Sequence, residues 1–275
     1  MDRRTFLGTM TAATLVARRL GVAADERKIQ KVGLQLYSVR DAMKTDFDTT
    51  LAKVSKIGYR EVEFAGYFGH SPKDVKAALE RVGLVSPSSH TPYDSLGEKF
   101  PAVLEGAKII GQSYIVCPFV DEKTRQQPGG WKQIAETLNR AGETAHKAGV
   151  QFAYHNHSFE FEPVNGKLPY DMLLAETDAN LVKMEMDLFW AVKGGADPLA
   201  YFNRYPGRFA LVHVKGMSKN GEMTEVAADN SIDWKAIFAQ SGKAGIQHYF
   251  VEHDEPKDPF ASIQASYSYL SQVRF

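Results

Sequence analysis

The sequence predicts a single α/β domain of the (β/α)8 TIM-barrel class, and three observations predict it. Segments typical of strands and of helices alternate without interruption through eight repeats. A glycine stands just before six of the strands, where the preceding helix would end. No linker or shift in composition divides the chain, and its 275 residues suit one barrel. Strands that alternate with helices pair in parallel through right-handed crossovers, as this fold requires.

The main alternative is an open, doubly wound sheet. That fold usually carries a glycine-rich phosphate loop after its first strand. The residues at this place, Tyr37-Ser38-Val39-Arg40, contain no glycine. The sequence therefore favours the closed barrel.

The eight strands are predicted from runs of β-branched and aromatic residues. In chain order they cover 32–37, 60–65, 84–89, 114–117, the start of 150–161, 181–187, 209–214 and 248–252. The helices are predicted from apolar residues at helical spacing, with Ser or Asp caps followed by proline and with glycine stops. They cover 47–57, 72–82, 96–110, 131–148, 170–175, 198–205, 233–244 and 259–273. Three longer loops, at 66–70, 118–130 and 216–231, are expected to wall the active face.

The first residues form a separate segment. Paired arginines, Arg3 and Arg4, precede Phe6 and Leu7, a weakly apolar run and small residues that end at Ala24. This pattern resembles a twin-arginine export signal, and the apolar run is too short to span a bilayer. We therefore expect residues 1–24 to be a signal peptide, 25–275 to be the barrel, and the protein to be periplasmic. The alternative is a basic, disordered tail.

Charge and cysteine content exclude several classes of protein. The formal net charge is zero, so nothing indicates a nucleic-acid partner. No membrane span is expected, and a homo-oligomer is compatible with the composition. The one cysteine, Cys117, cannot form an intrachain disulfide and lies in an apolar run, so we expect it to pack as a small hydrophobe. A catalytic thiol is the alternative.

Polar residues recur where the predicted strands end. In a barrel these ends meet at one mouth, where the chemistry of such enzymes takes place. The polar residues there are Tyr37, Glu61, Glu63, His90, His155, His157, Glu160, Glu185, Asp187, His213, Lys215, Glu252, His253 and Asp254. Charged residues are seldom buried unless they are paired or bind a metal. Carboxylates with one or two imidazoles select a divalent ion, so the sequence predicts a metal site at this mouth.

Each candidate also has a structural alternative. His213 in V-H-V could be a hydrogen-bonded core histidine, Asp187 could cap a turn, and Glu252 could be a surface charge. The metal prediction rests on the coincidence of such residues at equivalent ends of consecutive strands.

Six segments carry a resemblance to a known family. They are L-Q-L-Y-S-V-R-D (34–41), G-Y-R-E-V-E-F (58–64), A-Y-H-N-H-S-F-E-F (153–161), E-M-D-L-F-W-A-V-K-G-G (185–195), H-V-K-G (213–216) and V-E-H-D (251–254). Together they resemble the sugar phosphate isomerase/epimerase family of xylose isomerase-type TIM barrels. That family also contains inosose dehydratases and ketose 3-epimerases.

The resemblance implies one divalent metal ion, with Mn²⁺ expected first and Mg²⁺, Co²⁺ or Zn²⁺ as alternatives. Carried over to this chain, the implied ligands are Asp187, His213 and Glu252, with a fourth from strand five. His155 stands where many relatives have glutamate, so the fourth ligand is either His155 or Glu160. We expect Glu160 to fold back to the metal.

The resemblance also implies a sugar isomerase or epimerase that removes the proton next to a carbonyl and forms an enediolate. Glu252 is expected to be one acid/base, and His155, His157 or Glu160 the other. The residues expected to bind substrate are His90, Lys215, Trp190 and Glu63. Trp190 could instead be packing. A lyase or dehydratase acting on an inosose or a 3-keto-glycoside is the first alternative function, and a non-catalytic sugar-binding protein is the second.

Overall fold

Residues 27–275 are described in this computed structural model of the protein, so the predicted signal at 1–24 lies outside the described residues. The barrel strands are β1 (Gly33–Gln35), β2 (Glu61–Phe64), β3 (Val85–His90), β4 (Tyr114–Cys117), β5 (Gln151–His155), β6 (Val182–Asp187), β7 (Phe209–Val214) and β10 (His248–Val251). These eight parallel strands close into a barrel in the order β1-β10-β7-β6-β5-β4-β3-β2, which confirms the predicted fold. The short strands β8 (Gly216–Met217) and β9 (Met223–Thr224) pair antiparallel outside the barrel.

Helices surround the barrel and connect its strands. They are α1 (Arg40–Thr45), α2 (Phe47–Ile57), α3 (Pro72–Val82), α4 (Phe100–Ile110), α5 (Glu122–Arg125), α6 (Gly130–Lys147), α7 (Pro169–Glu176), α8 (Leu188–Lys193), α9 (Pro198–Arg204), α10 (Trp234–Ala239), α11 (Ser241–Ala244) and α12 (Pro259–Leu270). Short 3₁₀ helices cover Leu36–Val39, Tyr93–Ser95 and Phe159–Phe161. Among the described residues, no helix has both the length and the apolar character that a membrane crossing requires.

Two predicted boundaries are wrong for local reasons. Strand β1 ends at Gln35 because its side-chain Oε1 accepts a hydrogen bond of 3.0 Å from the Tyr37 N–H, which starts a 3₁₀ helix. Helix α4 begins at Phe100 rather than near residue 96. Pro101 has no N–H and its ring would clash with the preceding turn, so it is tolerated only in the first turn of the helix.

The barrel interior is filled by side chains from several strands. Tyr114, Leu211 and Phe250 belong to a buried apolar cluster inside it. Gly33 on β1 allows this packing, since a Cβ there would lie 2.5 Å from Phe250 Cδ1. On β4, Cys117 is free and buried, and burial raises the pKa of its thiol to about 12. This confirms the prediction that Cys117 packs as a small hydrophobe.

Candidate metal centre and active site

A cavity of about 520 Å³ opens at the carboxyl ends of the barrel strands. It falls within the usual size range for small-molecule sites. His90 from β3, His155 and His157 at the end of β5, and Lys215 and Glu252 after β7 and β10 all line it. The structure therefore brings five of the predicted site residues together around one cavity.

Beneath this cavity, three imidazoles surround one carboxylate. Glu185 Oε2 on β6 lies 2.9 Å from His90 Nε2, 3.2 Å from His155 Nδ1 and 3.2 Å from His213 Nε2. One ligand atom of each of these four residues lies within 4.8 Å of the others. We call this set the three-imidazole group. It could hold a metal ion.

Glu63 supports this group from β2. It is fully buried, and its Oε2 accepts hydrogen bonds of 2.7 Å from both Gln35 Nε2 and His213 Nε2. His90 Nε2 lies 3.1 Å from the same oxygen. Burial alone would raise the pKa of Glu63, but the positive charges of His90 and His213 hold it well below its usual value. Oε2 of Glu63 therefore holds the two histidines, and the substrate-binding role of Glu63 stays a prediction.

A second group joins carboxylates to a buried lysine. Lys215 Nζ lies 2.7 Å from Glu252 Oε2, 3.0 Å from Asp187 Oδ2 and 2.7 Å from Asp254 Oδ1. Glu252 Oε2 also lies 2.7 Å from His213 Nδ1. Asp187, His213 and Glu252 are near enough to one another to hold a cation, and we call them the carboxylate group. They are the three ligands that the resemblance implied.

Burial and charge set the protonation of these groups in opposite directions. Burial would lower the pKa of His90, but the charges of Glu63 and Glu185 raise it to about 9. Burial, together with the charge of His213, lowers the pKa of His155 well below its usual value. Burial also lowers the pKa of His157, to about 3. In this structure His155 and His157 are therefore neutral imidazoles, whose ring nitrogens can accept a proton or bind a metal.

Burial and neighbouring charge also oppose each other in the carboxylate group. Burial raises the pKa of Asp187 to about 6, against the opposing charge of Lys215. Burial would also raise the pKa of Glu252, but the charges of Lys215 and His213 hold it well below its usual value. The surrounding carboxylates raise the pKa of Lys215 despite its burial, so Lys215 is a permanent cation.

Glu160 does not lie with the other predicted metal ligands. This carboxylate accepts hydrogen bonds from Tyr154 Oη at 2.6 Å and from the His157 N–H at 2.8 Å, so both of its oxygens are used. Tyr154 precedes His155 on β5 and therefore points to the opposite face of the strand. Glu160 belongs to neither metal-binding group, and the contribution of β5 to the three-imidazole group is His155.

Trp190 lies behind the cavity rather than on its wall. Its ring centroid is 5.9 Å from that of His157 and 5.8 Å from Lys215 Nζ. The aromatic residue on the wall is Phe119, whose ring makes an edge contact with His157. The stacking role predicted for Trp190 therefore does not match its position, and its contacts with His157 and Lys215 are packing contacts.

Asp187 caps a helix, which is the structural alternative to its predicted role as a metal ligand. Its Oδ1 accepts a hydrogen bond of 2.9 Å from the Trp190 N–H and so caps α8. Its Oδ2 is buried beside Lys215 and has no aligned hydrogen bond. Asn156 joins the ends of β5 and β6 by accepting from the Asp187 N–H at 3.1 Å.

Sequence reasoning placed Glu185 at the mouth but gave it no role. The available signal was its spacing, since Glu185 lies two residues before Asp187 on β6 and therefore shares its face. Gln35, which bonds to Glu63, gave no signal of its own.

Several polar atoms at the mouth are buried without a hydrogen-bond partner. Among the described residues they include Glu63 Oε1, Glu185 Oε1, Asp187 Oδ2, His155 Nδ1 and His157 Nδ1. Such atoms are rare in folded proteins, and each one costs free energy unless an ion or a water satisfies it. Imidazole nitrogens and carboxylate oxygens are suitable donors for a divalent cation. The chemistry of this site therefore fits a metal ion.

Comparisons with known proteins agree with the fold. Residues 51–272 match a family model described as xylose isomerase-like TIM barrel. The inosose dehydratase of Lacticaseibacillus casei is 25% identical over 267 residues, which cover 82% of this chain and 88% of that protein. The inosose dehydratase of Clostridium perfringens strain 13 is 32% identical over 219 residues, which cover 72% of this chain and 71% of that protein.

Solved structures also show the barrel fold. The crystal structure of a sugar phosphate isomerase/epimerase from Parabacteroides distasonis superimposes with a TM-score of 0.77 at 29% identity. The match covers 91% of this chain and 95% of that one. A closed barrel, a polar site at its mouth and a family model that matches most of the chain lead to one conclusion: this protein belongs to the xylose isomerase-like TIM barrel family.

Proposed function

We propose that this protein is a divalent-metal-dependent lyase that eliminates water, or another leaving group, next to the carbonyl of a cyclic keto-sugar or inosose. The observation that carries the proposal is the arrangement of the cavity wall, where the Glu252 carboxylate and the Lys215 ammonium lie side by side. The relatives named inosose dehydratases support elimination over isomerisation. The metal would be held by one of the two groups that share His213. When bound, it supplies Lewis-acid stabilisation of negative charge on a substrate oxygen.

Glu252 is suited to move the proton. Its contacts with His213 and Lys215 both use Oε2, and no hydrogen bond to Oε1 is found in the part of the chain that the structure describes. Oε1 can therefore take the proton from the carbon next to the substrate carbonyl. The electron pair of that C–H bond forms a carbon–carbon double bond while the hydroxyl on the next carbon leaves. The same carboxyl then returns its proton to the departing hydroxide, so one water is lost and no oxidant or reductant is needed.

Lys215 and His157 would hold the substrate during this step. Both line the cavity, and the Lys215 ammonium can donate hydrogen bonds to an oxygen that becomes negative as the proton leaves. His157 stacks on Phe159 with the ring planes 6° apart, which fixes its orientation. Its buried Nδ1 has no partner among the described residues and is available to a substrate hydroxyl.

A sugar isomerase or epimerase is the second candidate. It would use the same proton abstraction but return a proton to carbon instead of losing the hydroxyl. The likeness to the sugar phosphate isomerase/epimerase of Parabacteroides distasonis favours it. His157, which follows a different barrel strand from Glu252, would be the second acid/base.

The test is incubation with a panel of inososes, ketoses and 3-keto-glycosides in D₂O with Mn²⁺, Co²⁺ or Zn²⁺. Elimination predicts a product that is about 18 Da lighter through loss of one water, or that lacks its glycosidic substituent, and that shows alkene signals in the NMR spectrum. Isomerisation predicts deuterium next to the carbonyl without loss of mass. Glu252→Gln should abolish either reaction. A panel in which no substrate exchanges or eliminates with any of the three metals would contradict the proposal.

We also propose that the protein is exported, because Arg3-Arg4 and the following residues resemble a twin-arginine signal. Fractionation of cells that express the full chain should find a shortened form in the periplasm. Replacing both arginines by lysine should retain the full-length form in the cytoplasm. An unprocessed wild-type chain in the cytoplasm would contradict this proposal.

A further inference from the structure

We infer that the metal ion binds in the three-imidazole group, held by His90, His155, Glu185 and His213. The carboxylate group then holds no metal, because the Lys215 ammonium takes the position of a cation between Asp187 and Glu252. This inference rests on the proposed function, since it assumes that the protein uses a divalent ion. It departs from the ligand set implied by the family resemblance, in which Asp187 and Glu252 bind the metal.

The two ring nitrogens of His213 face different groups. Nε2 lies 3.2 Å from Glu185 Oε2 in the three-imidazole group, and Nδ1 lies 2.7 Å from Glu252 Oε2 in the carboxylate group. A neutral imidazole can bind a metal through one nitrogen while the other carries a proton. If Nε2 gives up its proton, and with it the hydrogen bond to Glu63, it can bind the metal while Nδ1–H donates to Glu252. An outer carboxylate that orients a metal-binding histidine in this way is common in metalloproteins.

Lys215 decides between the two groups. Its ammonium lies 3.0 Å from Asp187 Oδ2 and 2.7 Å from Glu252 Oε2, and only 2% of its side chain is exposed. These two residues are the carboxylates that would have to bind the metal in the carboxylate group. A divalent ion between them would stand close to the buried ammonium, where repulsion between like charges is strong because little water screens it. The position of the cation is therefore already taken by the protein itself.

Among the described residues, the three-imidazole group contains no lysine or arginine, and its own cations are imidazoles, which give up a proton when they bind a metal. His155 Nδ1 lies 3.2 Å from Glu185 Oε2 but makes no hydrogen bond there, and Glu185 Oε1 also has no partner in the same part of the chain. Both atoms are buried, so neither is satisfied by bulk water. An ion bound by these atoms would satisfy them and would offset the charge of two buried carboxylates, Glu63 and Glu185.

The ligand set indicates the class of metal. Three imidazoles with one carboxylate favour borderline ions such as Zn²⁺, Co²⁺ or Fe²⁺, whereas Mg²⁺ prefers an all-oxygen site. This differs from the Mn²⁺ that the resemblance led us to expect. The difference comes from His155, which stands at the place of a glutamate in many relatives, and it leaves the Glu252 carboxylate available to move a proton.

Glu185→Gln and Asp187→Asn form a matched pair for the test. The two residues lie two positions apart on β6, and each change removes one charge and keeps the shape of the side chain. In Asp187→Asn the amide oxygen can still accept from the Trp190 N–H, so the cap of α8 is kept. Each variant, as the full chain, is freed of metal with a chelator. It is then titrated with Zn²⁺ by calorimetry and with Co²⁺ by visible absorption. Circular dichroism confirms that each variant is folded.

The wild-type protein should bind one Zn²⁺ per chain, and bound Co²⁺ should show the visible bands of a nitrogen-rich site. Glu185→Gln should weaken binding by at least about 100-fold, more than the loss of an outer partner of a metal ligand usually costs. Asp187→Asn should change the affinity by less than about threefold and leave the Co²⁺ spectrum unchanged. Loss of binding in Asp187→Asn, with or without loss in Glu185→Gln, would overturn the inference. So would full binding by both variants.

No substrate is present in these titrations. A protein that binds Zn²⁺ as expected but eliminates nothing from the substrate panel would contradict the proposed function and leave this inference intact. Elimination that survives in Glu185→Gln, with unchanged metal affinity, would contradict this inference and leave the proposed function intact.

Discussion

Each end of the barrel contains a glutamate paired with a histidine, and the environments of the two pairs differ. Glu61 was predicted at the mouth, but it is the first residue of β2 and lies at the amino-terminal end. There its Oε2 lies 2.7 Å from His248 Nδ1, and Lys31 Nζ lies 3.5 Å from its Oε1. At the mouth, Glu252 Oε2 lies the same 2.7 Å from His213 Nδ1. The His213 ring, however, also contacts Glu63 and Glu185, whose other oxygens have no partner among the described residues. A contact between a glutamate and a histidine therefore does not by itself mark a site. What marks the site at the mouth is the set of buried polar atoms around the pair that have no hydrogen-bond partner.

This difference separates the interpretation of individual histidines. His248, which contacts one carboxylate, that of Glu61, is a structural residue that joins β10 to β2. His213 holds more carboxylates together than one imidazole can neutralise. The mouth therefore needs further positive charge, which Lys215 supplies on one side and which His90, or a metal ion in its place, would supply on the other.

The largest expected effect is that of His213→Ala at the mouth. This change leaves Glu63, Glu185 and Glu252 buried without the group that joins them. Breaking a buried ion pair by removing one partner typically costs about 3–5 kcal/mol, so we expect a loss of this size in the free energy of unfolding. Urea unfolding of the metal-free protein measures it. A loss below about 1 kcal/mol would show that the carboxylates at the mouth do not depend on His213.

The next effect concerns metal removal. A ligand that binds only the folded state at 100 times its Kd stabilises the protein by about 2.7 kcal/mol. Zn²⁺ should therefore raise the Tm of the wild-type protein and of Glu61→Gln, and a chelator should reverse the rise. Glu185→Gln should show no rise. If Glu61→Gln lost the stabilisation as well, the two ends of the barrel would not differ in the way described.

A pH effect is expected at Glu160, on the outer side of β5. Burial raises its pKa from 4.5 to about 8, so the folded protein keeps a proton that the unfolded chain releases. Stability should therefore fall as the pH rises from about 4.5 towards 8, by up to about 1.4 kcal/mol per pH unit, and level off above that.

Glu160→Gln removes this dependence. The amide oxygen can accept from the His157 N–H, and the amide nitrogen can donate to Tyr154 Oη, so both hydrogen bonds can be kept. Urea midpoints from about pH 5 to 9 should fall less for the variant than for the wild type, because Asp187 and His90 titrate in this range in both proteins. Metal affinity should not change. A variant that lost its metal would restore Glu160 as a ligand.

The smallest expected effect is that of Glu61→Gln at the amino-terminal end. The change replaces a charge-assisted hydrogen bond to His248 by a neutral one, and we expect it to cost about 1–2 kcal/mol. Metal affinity and turnover should remain within about twofold of the wild type. Calorimetric unfolding measures the stability, and zinc titration measures the metal affinity. A loss of metal affinity would contradict the view that the amino-terminal end is separate from the site.

Much of the fold was predictable because the local sequence signals end helices and strands where the barrel requires them to end. The strand 209–214 and the helices at 47–57 and 72–82 have the predicted bounds, since caps and glycine stops fix their ends. Helices α1 and α8 were not predicted. Each has six residues, and helices this short depend on tertiary contacts that the sequence does not display.

The site was only partly predictable, for a different reason. Alternation along a strand gives the face of a side chain, so His155 and Lys215 could be assigned to the mouth. Alternation does not predict which atoms a side chain contacts. Glu160 is close to His155 in sequence, yet its oxygens bond to Tyr154 and to a backbone N–H. Glu185 was passed over because Asp187 occupies the same face and matched the family pattern.

The most direct test of the central claim is the exchange of substrate hydrogen with solvent, measured in parallel at the two ends of the barrel. Wild type, Glu252→Gln and Glu61→Gln are each incubated with Zn²⁺ and the same panel of inososes and keto-sugars in D₂O. The claim predicts deuterium uptake next to the carbonyl, or loss of the neighbouring hydroxyl, in the wild type and in Glu61→Gln but not in Glu252→Gln. Exchange that persists in Glu252→Gln, or that disappears in a folded Glu61→Gln, would contradict the assignment of the chemistry to the mouth.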